Sequence, residues 1–203
     1  STLHNFFKIT EWGEKTNHSD TPLWIPFGIT EYLNETGDLT ILNEVVKFYD
    51  EGEATVYEHT ARALDFAISA VSERGLPKIM NGDWNDTLDK VGPRGKGETI
   101  WGAFFLGYVI KKTLPLLGLM NDQKRIKDWS EAYVKMEKLI QKYQITELAI
   151  EAPFFGKNVQ SMLKLGRAQG VVISAARYFG LLTTEYSPRK IKLSVAGNGN
   201  ASK

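Results

Sequence analysis

Two aspartates flank a tryptophan in the segment Asn81–Thr87, which reads Asn-Gly-Asp-Trp-Asn-Asp-Thr. A carboxylic acid can act as a general acid, and an indole face offers an apolar platform for a sugar ring. Asp83, Trp84 and Asp86 therefore suggest acid-catalysed chemistry on a carbohydrate. The same residues also suit a surface turn in which Asp and Asn side chains bind backbone amides. From the residues alone, both interpretations stay open.

Oxygen ligands alternate at Asp83, Asn85 and Thr87, as they do at the start of a calcium-binding loop. The EF-hand pattern needs a glycine at its sixth position, where this chain has Leu88. The sequence therefore predicts no metal site here.

The composition limits the classes of partner and compartment. The 203 residues include 25 Lys and Arg against 24 Asp and Glu, a formal net charge of +1. This balance gives no electrostatic reason to expect nucleic acid or an anionic membrane as a partner. Cysteine is absent, which excludes disulfides and thiolate chemistry and favours a reducing, cytoplasmic location. We expect no membrane-spanning run and no signal peptide. Because the chain begins without Met, we expect it to be a piece of a longer protein.

Hydrophobic periodicity predicts a helical chain. Helices are expected at 22–36, 38–49, about 55–75, 98–117, 122–143 and 159–182, with a long loop at 76–97. No segment with strand periodicity competes with them, so the expected fold class is all-α. The glycine-rich tail at 196–200 is expected to be disordered.

The order of the long helices also predicts where the candidate residues lie. If successive helices are antiparallel neighbours, their connections alternate between the two ends of the array. The loop before the first helix carries Asp20, and the loop after the second long helix carries Asp83 and Asp86. We therefore expect these carboxylates at the same end.

Six short motifs occur in order along the chain. They are His18–Trp24, Glu35–Asp38, Thr55–His59, Gly75–Pro77, Gly82–Asp86 and Gly95–Glu98. Together they resemble the inverting glycoside phosphorylases related to cellobiose and chitobiose phosphorylase and to the phosphorylase part of cyclic β-1,2-glucan synthases, which form glycoside hydrolase family ninety-four. The resemblance implies an incomplete part of an α/α six-hairpin barrel, or toroid. It also implies a single partial catalytic domain over residues 1–203, with a family-like core at 18–143 and a divergent stretch at 144–203.

The resemblance also implies an activity and residue roles. The reaction would be reversible, inverting phosphorolysis of a β-linked glucoside or oligosaccharide to a sugar 1-phosphate. Asp86 would be the general acid, and Asp20 and Trp84 would line the donor-sugar subsite. Arg94 and Lys96 are the local candidates for holding phosphate, although both also suit a solvated loop. No cofactor is expected, since inorganic phosphate is a co-substrate, and a homodimer is among the assemblies that the resemblance allows for the full-length protein.

Two other functions remain open from the sequence. The first is an inverting hydrolase of the same barrel type, in which Asp86 is the acid and Asp20 or Glu58 activates water. The second is a sugar-binding fragment without catalysis, because the phosphate-binding segments of the family are not recognisable in this chain.

Overall fold

The computed structural model describes residues 6–7, 12–13, 15–84, 91–142, 146–152 and 159–200. The helices are α1 (Thr21–Thr36), α2 (Val56–Ser69), α3 (Ile100–Leu119), α4 (Gln123–Lys142), α5 (Val159–Tyr178) and α6 (Pro188–Ala196). The strands are β1 (Phe6–Phe7), β2 (Trp12–Gly13), β3 (Val45–Lys47), β4 (Glu53–Thr55), β5 (Glu147–Glu151) and β6 (Leu182–Tyr186). The chain is mostly helical, as the sequence predicts, and short strands accompany the helices. The six-hairpin barrel stays a prediction.

The chain divides into two compact units, residues Ser1–Leu139 and Ile140–Lys203, here called unit 1 and unit 2. Unit 1 has 16 Lys and Arg against 21 Asp and Glu, a net charge of −5. Unit 2 has nine Lys and Arg against three Asp and Glu, a net charge of +6. The near-neutral total therefore hides two units of opposite charge.

Helices α1, α2 and α3 form the core of unit 1, and α1 contacts both of the others. Helix α3 is apolar on nearly every side, and its residues 102–107 are all buried. Phe104 and Phe105 are among the largest fully buried side chains of the chain. Since each buried Phe contributes about 1.5–3 kcal/mol through removal of apolar surface from water, α3 is the central helix of this unit.

Helix α3 is also long and apolar enough to cross a membrane, judged by length and composition alone. The expectation that no such run exists was therefore wrong. Within its most apolar window, 61% of the helix is buried inside the protein. This burial is what the central helix of a packed core requires.

Residues 38–49 do not form the predicted helix. A 3-10 helix spans Leu39–Asn43, and β3 then pairs antiparallel with β4, with Val45 opposite Thr55 and Lys47 opposite Glu53. Val45 and Val46 are β-branched and have a high strand preference. The turn at Gly52, where φ is 83°, brings the two strands together.

Helix α2 ends at Ser69, six residues before the predicted stop at Gly75. The backbone beyond it turns into a hairpin-like loop. In this loop the amide of Ser72 donates to the carbonyl of Leu76 at 2.8 Å, and the amide of Lys78 donates to the carbonyl of Ala70 at 3.0 Å. These non-helical hydrogen bonds satisfy the backbone groups that a longer helix would have used.

Unit 2 contains a β-α-β arrangement that the sequence analysis missed. Strands β5 and β6 are parallel, with Glu147 opposite Leu182 and Glu151 opposite Tyr186, and α5 connects them. A parallel pair needs such a crossover helix. Gly166 and Gly170 lie inside α5 without breaking it. Beyond β6, Ser187 caps α6 by accepting a hydrogen bond from the amide of Lys190.

Candidate functional site

The loop before α1 and the loop after α2 are hydrogen-bonded to each other. The amide of Ser19 donates to the carbonyl oxygen of Gly82 at 2.9 Å, and the Ser19 hydroxyl donates to the same oxygen at 3.2 Å. The side-chain amide of Asn81 donates to the carbonyl of Thr16 at 2.8 Å. The two segments that carry Asp20 and Asp83 therefore meet at one place on unit 1.

Asp20 occupies the N-cap position of α1 without capping the helix. It is only 5% exposed, and its Oδ2 accepts a hydrogen bond from Nε1 of Trp24 at 2.9 Å. None of the described residues bonds to its buried Oδ1. Burial raises the pKa of Asp20, the Trp24 hydrogen bond opposes this, and the nearby Asp83 raises it further. Helix capping therefore does not explain why this carboxyl group is buried.

Asp83 is 2% exposed, and its Oδ2 accepts a hydrogen bond from the Thr99 hydroxyl at 2.7 Å. Thr99 is the N-cap of α3, so the start of this helix contacts the loop after α2. The next residue, Trp84, is half-buried, and its ring centroid lies 5.7 Å from that of Trp101. The loop thus presents a carboxylate and an indole that are both held by α3.

The ring of His18 lies directly against Gly82. A Cβ atom on Gly82 would lie 2.9 Å from Nε2 of His18, closer than such atoms approach in proteins. His18 Nδ1 is 2.6 Å from the hydroxyl oxygen of Thr16. Glycine is therefore the residue that allows the two loops to approach this closely.

A second close backbone contact occurs at Gly92, where an added Cβ would lie 1.8 Å from the carbonyl oxygen of Met80. The Gly92→Ala variant should therefore be less stable by about 1–3 kcal/mol, because the loop must shift to relieve the overlap. Urea unfolding of the 203-residue chain measures this. In the control Gly118→Ala, the added methyl group meets nothing within 4 Å on α3, so the variant should be slightly more stable than the parent. Equal stability of Gly92→Ala and the parent would contradict the packing of this loop.

The other candidate residues are less informative in the structure. Asp86 lies outside the described residues. Arg94 and Lys96 are exposed, and their loop is joined to the site through the hydrogen bond from the Ile79 amide to the Gly97 carbonyl at 2.9 Å. The described part of the chain has no group of three or more His, Asp or Glu residues that could hold a metal ion.

An open cleft of about 440 Å³ lies between α2 and α4 and includes Asp65, Arg125 and Trp129 in its wall. Arg125 pairs with Glu58 at 3.0 Å, with Asp65 at 2.9 Å and with Asp122 at 3.0 Å. These partners occupy the guanidinium group, which favours a structural role for this cluster.

Comparison with known proteins identifies the family of this arrangement. The model of the glycosyl hydrolase 94 superfamily catalytic domain matches residues 4–149. The chain belongs to this superfamily. It is 35% identical over 144 residues to the cyclic β-(1,2)-glucan synthase NdvB of Rhizobium meliloti, covering 62% of this chain and 5% of that protein. It is 34% identical over 124 residues to the solabiose phosphorylase of Paenibacillus borealis, covering 61% of this chain and 16% of that protein. The chain therefore spans a small part of these relatives in the glycosyl hydrolase 94 superfamily.

The carboxyl-terminal part of this superfamily member has a different similarity. The model of the crossover junction endodeoxyribonuclease RuvC matches residues 117–203. The chain is 46% identical over 114 residues to the RuvC protein of Christiangramia forsetii, covering 53% of this chain and 58% of that protein. The two family matches overlap at residues 117–149, which include α4.

Sequence reasoning missed this second similarity, although two signals for it were present. One was the excess of positive charge after residue 139. The other was the pair of short segments Glu147–Glu151 and Leu182–Tyr186 on either side of a helical pattern, a spacing that is typical of a β-α-β unit.

Proposed function

We propose that unit 1 is part of the catalytic domain of an inverting glycoside phosphorylase that converts a β-linked glucoside to a sugar 1-phosphate. The main support is the buried carboxylate of Asp20, whose Oδ1 meets no described hydrogen-bond donor. A sugar hydroxyl is a donor that would satisfy this oxygen. Asp83 and Trp84 lie in the loop that contacts the Asp20 segment, so a carboxylate and an indole face are available at the same place.

In the proposed reaction, phosphate replaces the activated water of an inverting hydrolase. Inverting hydrolases need an acid for the leaving oxygen and a base for water. Phosphate is already anionic, so one protein carboxylic acid is sufficient. Asp86 would protonate the glycosidic oxygen while phosphate attacks the anomeric carbon from the opposite face. Arg94 and Lys96, which are exposed in the adjoining loop, could attract the phosphate.

The test is phosphate dependence in the full protein that contains this chain. The protein is incubated with β-linked disaccharides, with and without inorganic phosphate, and the products are followed by nuclear magnetic resonance. An α-configured sugar 1-phosphate that forms only with phosphate is the expected result. Free sugar released without phosphate would overturn the proposal in favour of the hydrolase, and binding without turnover would favour the non-catalytic sugar-binding fragment.

We propose a second function for unit 2, which is binding of the nucleic-acid backbone. The match to the RuvC model covers this whole unit. The net charge of unit 2 is +6, and exposed cations lie on α5 and α6 at Arg167, Arg177, Arg189 and Lys190. The expectation of no nucleic-acid partner was derived from the total charge, in which this excess is cancelled by unit 1.

A gel-shift measurement with the 203-residue chain tests this second function. A synthetic four-way DNA junction and a linear duplex of equal length are compared at several salt concentrations. We expect binding that weakens steeply with salt, because phosphate contacts release counterions. No shift of either DNA at low salt would refute it.

A further inference from the structure

We infer that Thr99 is a positioning residue that acts on the candidate sugar site through Asp83. This inference rests on the proposed glycoside phosphorylase function of unit 1. Thr99 is 5% exposed and lies at the N-cap of α3, where sequence reasoning identifies only a helix start.

Every polar group of Thr99 has a partner. Its amide donates to the carbonyl of Pro77 at 2.9 Å, and its carbonyl accepts from the amide of Ala103 at 3.2 Å. Its hydroxyl group accepts a hydrogen bond from the amide of Gly102 at 3.0 Å and donates one to Oδ2 of Asp83 at 2.7 Å. A hydroxyl group has one proton to donate. Since the Gly102 amide supplies the proton in the capping bond, the Thr99 proton is directed to Asp83.

The surrounding chain holds the Thr99 side chain in this orientation. A Cβ on Gly102 would lie 2.4 Å from Cγ2 of Thr99, so glycine provides the space that the Thr99 methyl group needs. The segment before Thr99 is joined to the segment before Asp83 by the hydrogen bond from the Ile79 amide to the Gly97 carbonyl at 2.9 Å. Helix α3 is the central helix of unit 1, so Asp83 is tied to a rigid element.

Asp83 connects this support to the proposed chemistry. It immediately precedes Trp84 and lies close enough to Asp20 for its charge to raise the pKa of that group. A fixed Asp83 therefore helps to set the position of the Trp84 indole. Misplacement of reacting groups by about 1 Å can cost about 100-fold in rate, so a single buried hydroxyl group can matter for activity.

Thr55 provides a matched control. It is the N-cap of α2, and its hydroxyl oxygen accepts from the amide of Glu58 at 3.2 Å. No described carboxylate accepts a hydrogen bond from it. Thr55→Val therefore removes a helix cap alone, whereas Thr99→Val removes a cap and the bond to Asp83. Thr99→Ser keeps both hydrogen bonds.

The test compares these three variants in the full protein. Thr55→Val should lower Tm by about 2–4 °C, the shift expected for loss of one N-cap, and Thr99→Val should lower it further because the buried Asp83 also loses a hydrogen bond. Only Thr99→Val should lower kcat/KM for phosphorolysis, by about 10–100-fold, and Thr99→Ser should restore it. Equal kcat/KM losses in the two valine variants, or no rescue by serine, would overturn the inference.

A second measurement separates this inference from the proposed function. If the parent protein forms no sugar 1-phosphate, the proposed function fails, and amide hydrogen exchange then decides the role of Thr99. Thr99→Val should speed exchange at residues 80–84, and Thr55→Val should leave it unchanged. Unchanged exchange in Thr99→Val would overturn the positioning role whether or not the protein is a phosphorylase.

Discussion

Asp86→Asn, introduced into the full protein that contains this chain, is expected to lower phosphorolysis of an unactivated disaccharide by about 10²–10⁴-fold. This is the usual contribution of general acid catalysis. Asparagine keeps the shape of the side chain and its capacity for hydrogen bonds, but it has no transferable proton. Initial rates of sugar 1-phosphate formation measure the effect.

The leaving group provides the control for this experiment. A nitrophenyl glycoside needs little protonation when its bond breaks, so its cleavage should be much less affected in Asp86→Asn. Asp83→Asn should lack this dependence on the leaving group, because Asp83 is held by Thr99 and shapes the loop. Equal losses on both substrates in Asp86→Asn would point to impaired binding or folding, and the role of general acid would be rejected.

Arg125→Met is expected to destabilise the 203-residue chain by about 3 kcal/mol. The guanidinium group joins Glu58 and Asp65 of α2 to Asp122, which precedes α4. Methionine keeps much of the apolar stem, but Asp65 and Asp122 lose their ion pairs with Arg125, and Glu58 keeps only its pair with Arg62. Each pair is partly exposed and should contribute about 1 kcal/mol, less than a fully buried pair. Urea unfolding at pH 7 measures the loss, with Arg62→Met as the control because its single pair with Glu58 is more exposed.

The same cluster predicts how stability depends on pH. Partial burial opposes ionisation of Glu58 and Asp122, but hydrogen bonds from Arg125 and Arg62 to Glu58, and from Tyr57 and Arg125 to Asp122, outweigh it and lower both pKa values. Groups with lowered pKa values stabilise the fold above their ordinary values of 4.5 and 3.8, and this contribution is lost as pH falls through the lowered values. The stability difference between the parent and Arg125→Met should therefore shrink below about pH 4. A constant difference between pH 7 and pH 3 would contradict the ion-pair network.

Local sequence signals predicted the long helices of unit 1 and the meeting of its two loops. Pro22 near the start of α1 and Gly37 beyond its end mark that helix correctly. The i,i+4 spacing of Glu58 and Arg62 indicates an ion pair on α2, and the two side chains do pair at a distance of 2.8 Å. The role of Arg125 could not be predicted, since Glu58 is 67 positions away and no periodic pattern connects the two.

The errors arose where a long-range contact decides the local structure. Residues 45–47 have apolar spacing that suits a helix, but pairing with β4 makes them a strand. Asp20 lies where the sequence suggests a helix cap, but it does not cap α1. Its Oδ2 accepts a hydrogen bond from Trp24, and its buried Oδ1 has no described donor. In unit 2, each strand is only five residues long, and the parallel partner lies beyond a 20-residue helix.

The opposite charges of the two units have a consequence for handling the protein. Cleavage at residues 143–145 would leave an acidic amino-terminal fragment and a basic carboxyl-terminal fragment. At neutral pH and low ionic strength, anion-exchange resin should retain the first and cation-exchange resin the second, although the uncleaved chain has a pI of about 7.8. If instead the two fragments elute together from either resin and separate only after salt is added, they attract each other electrostatically.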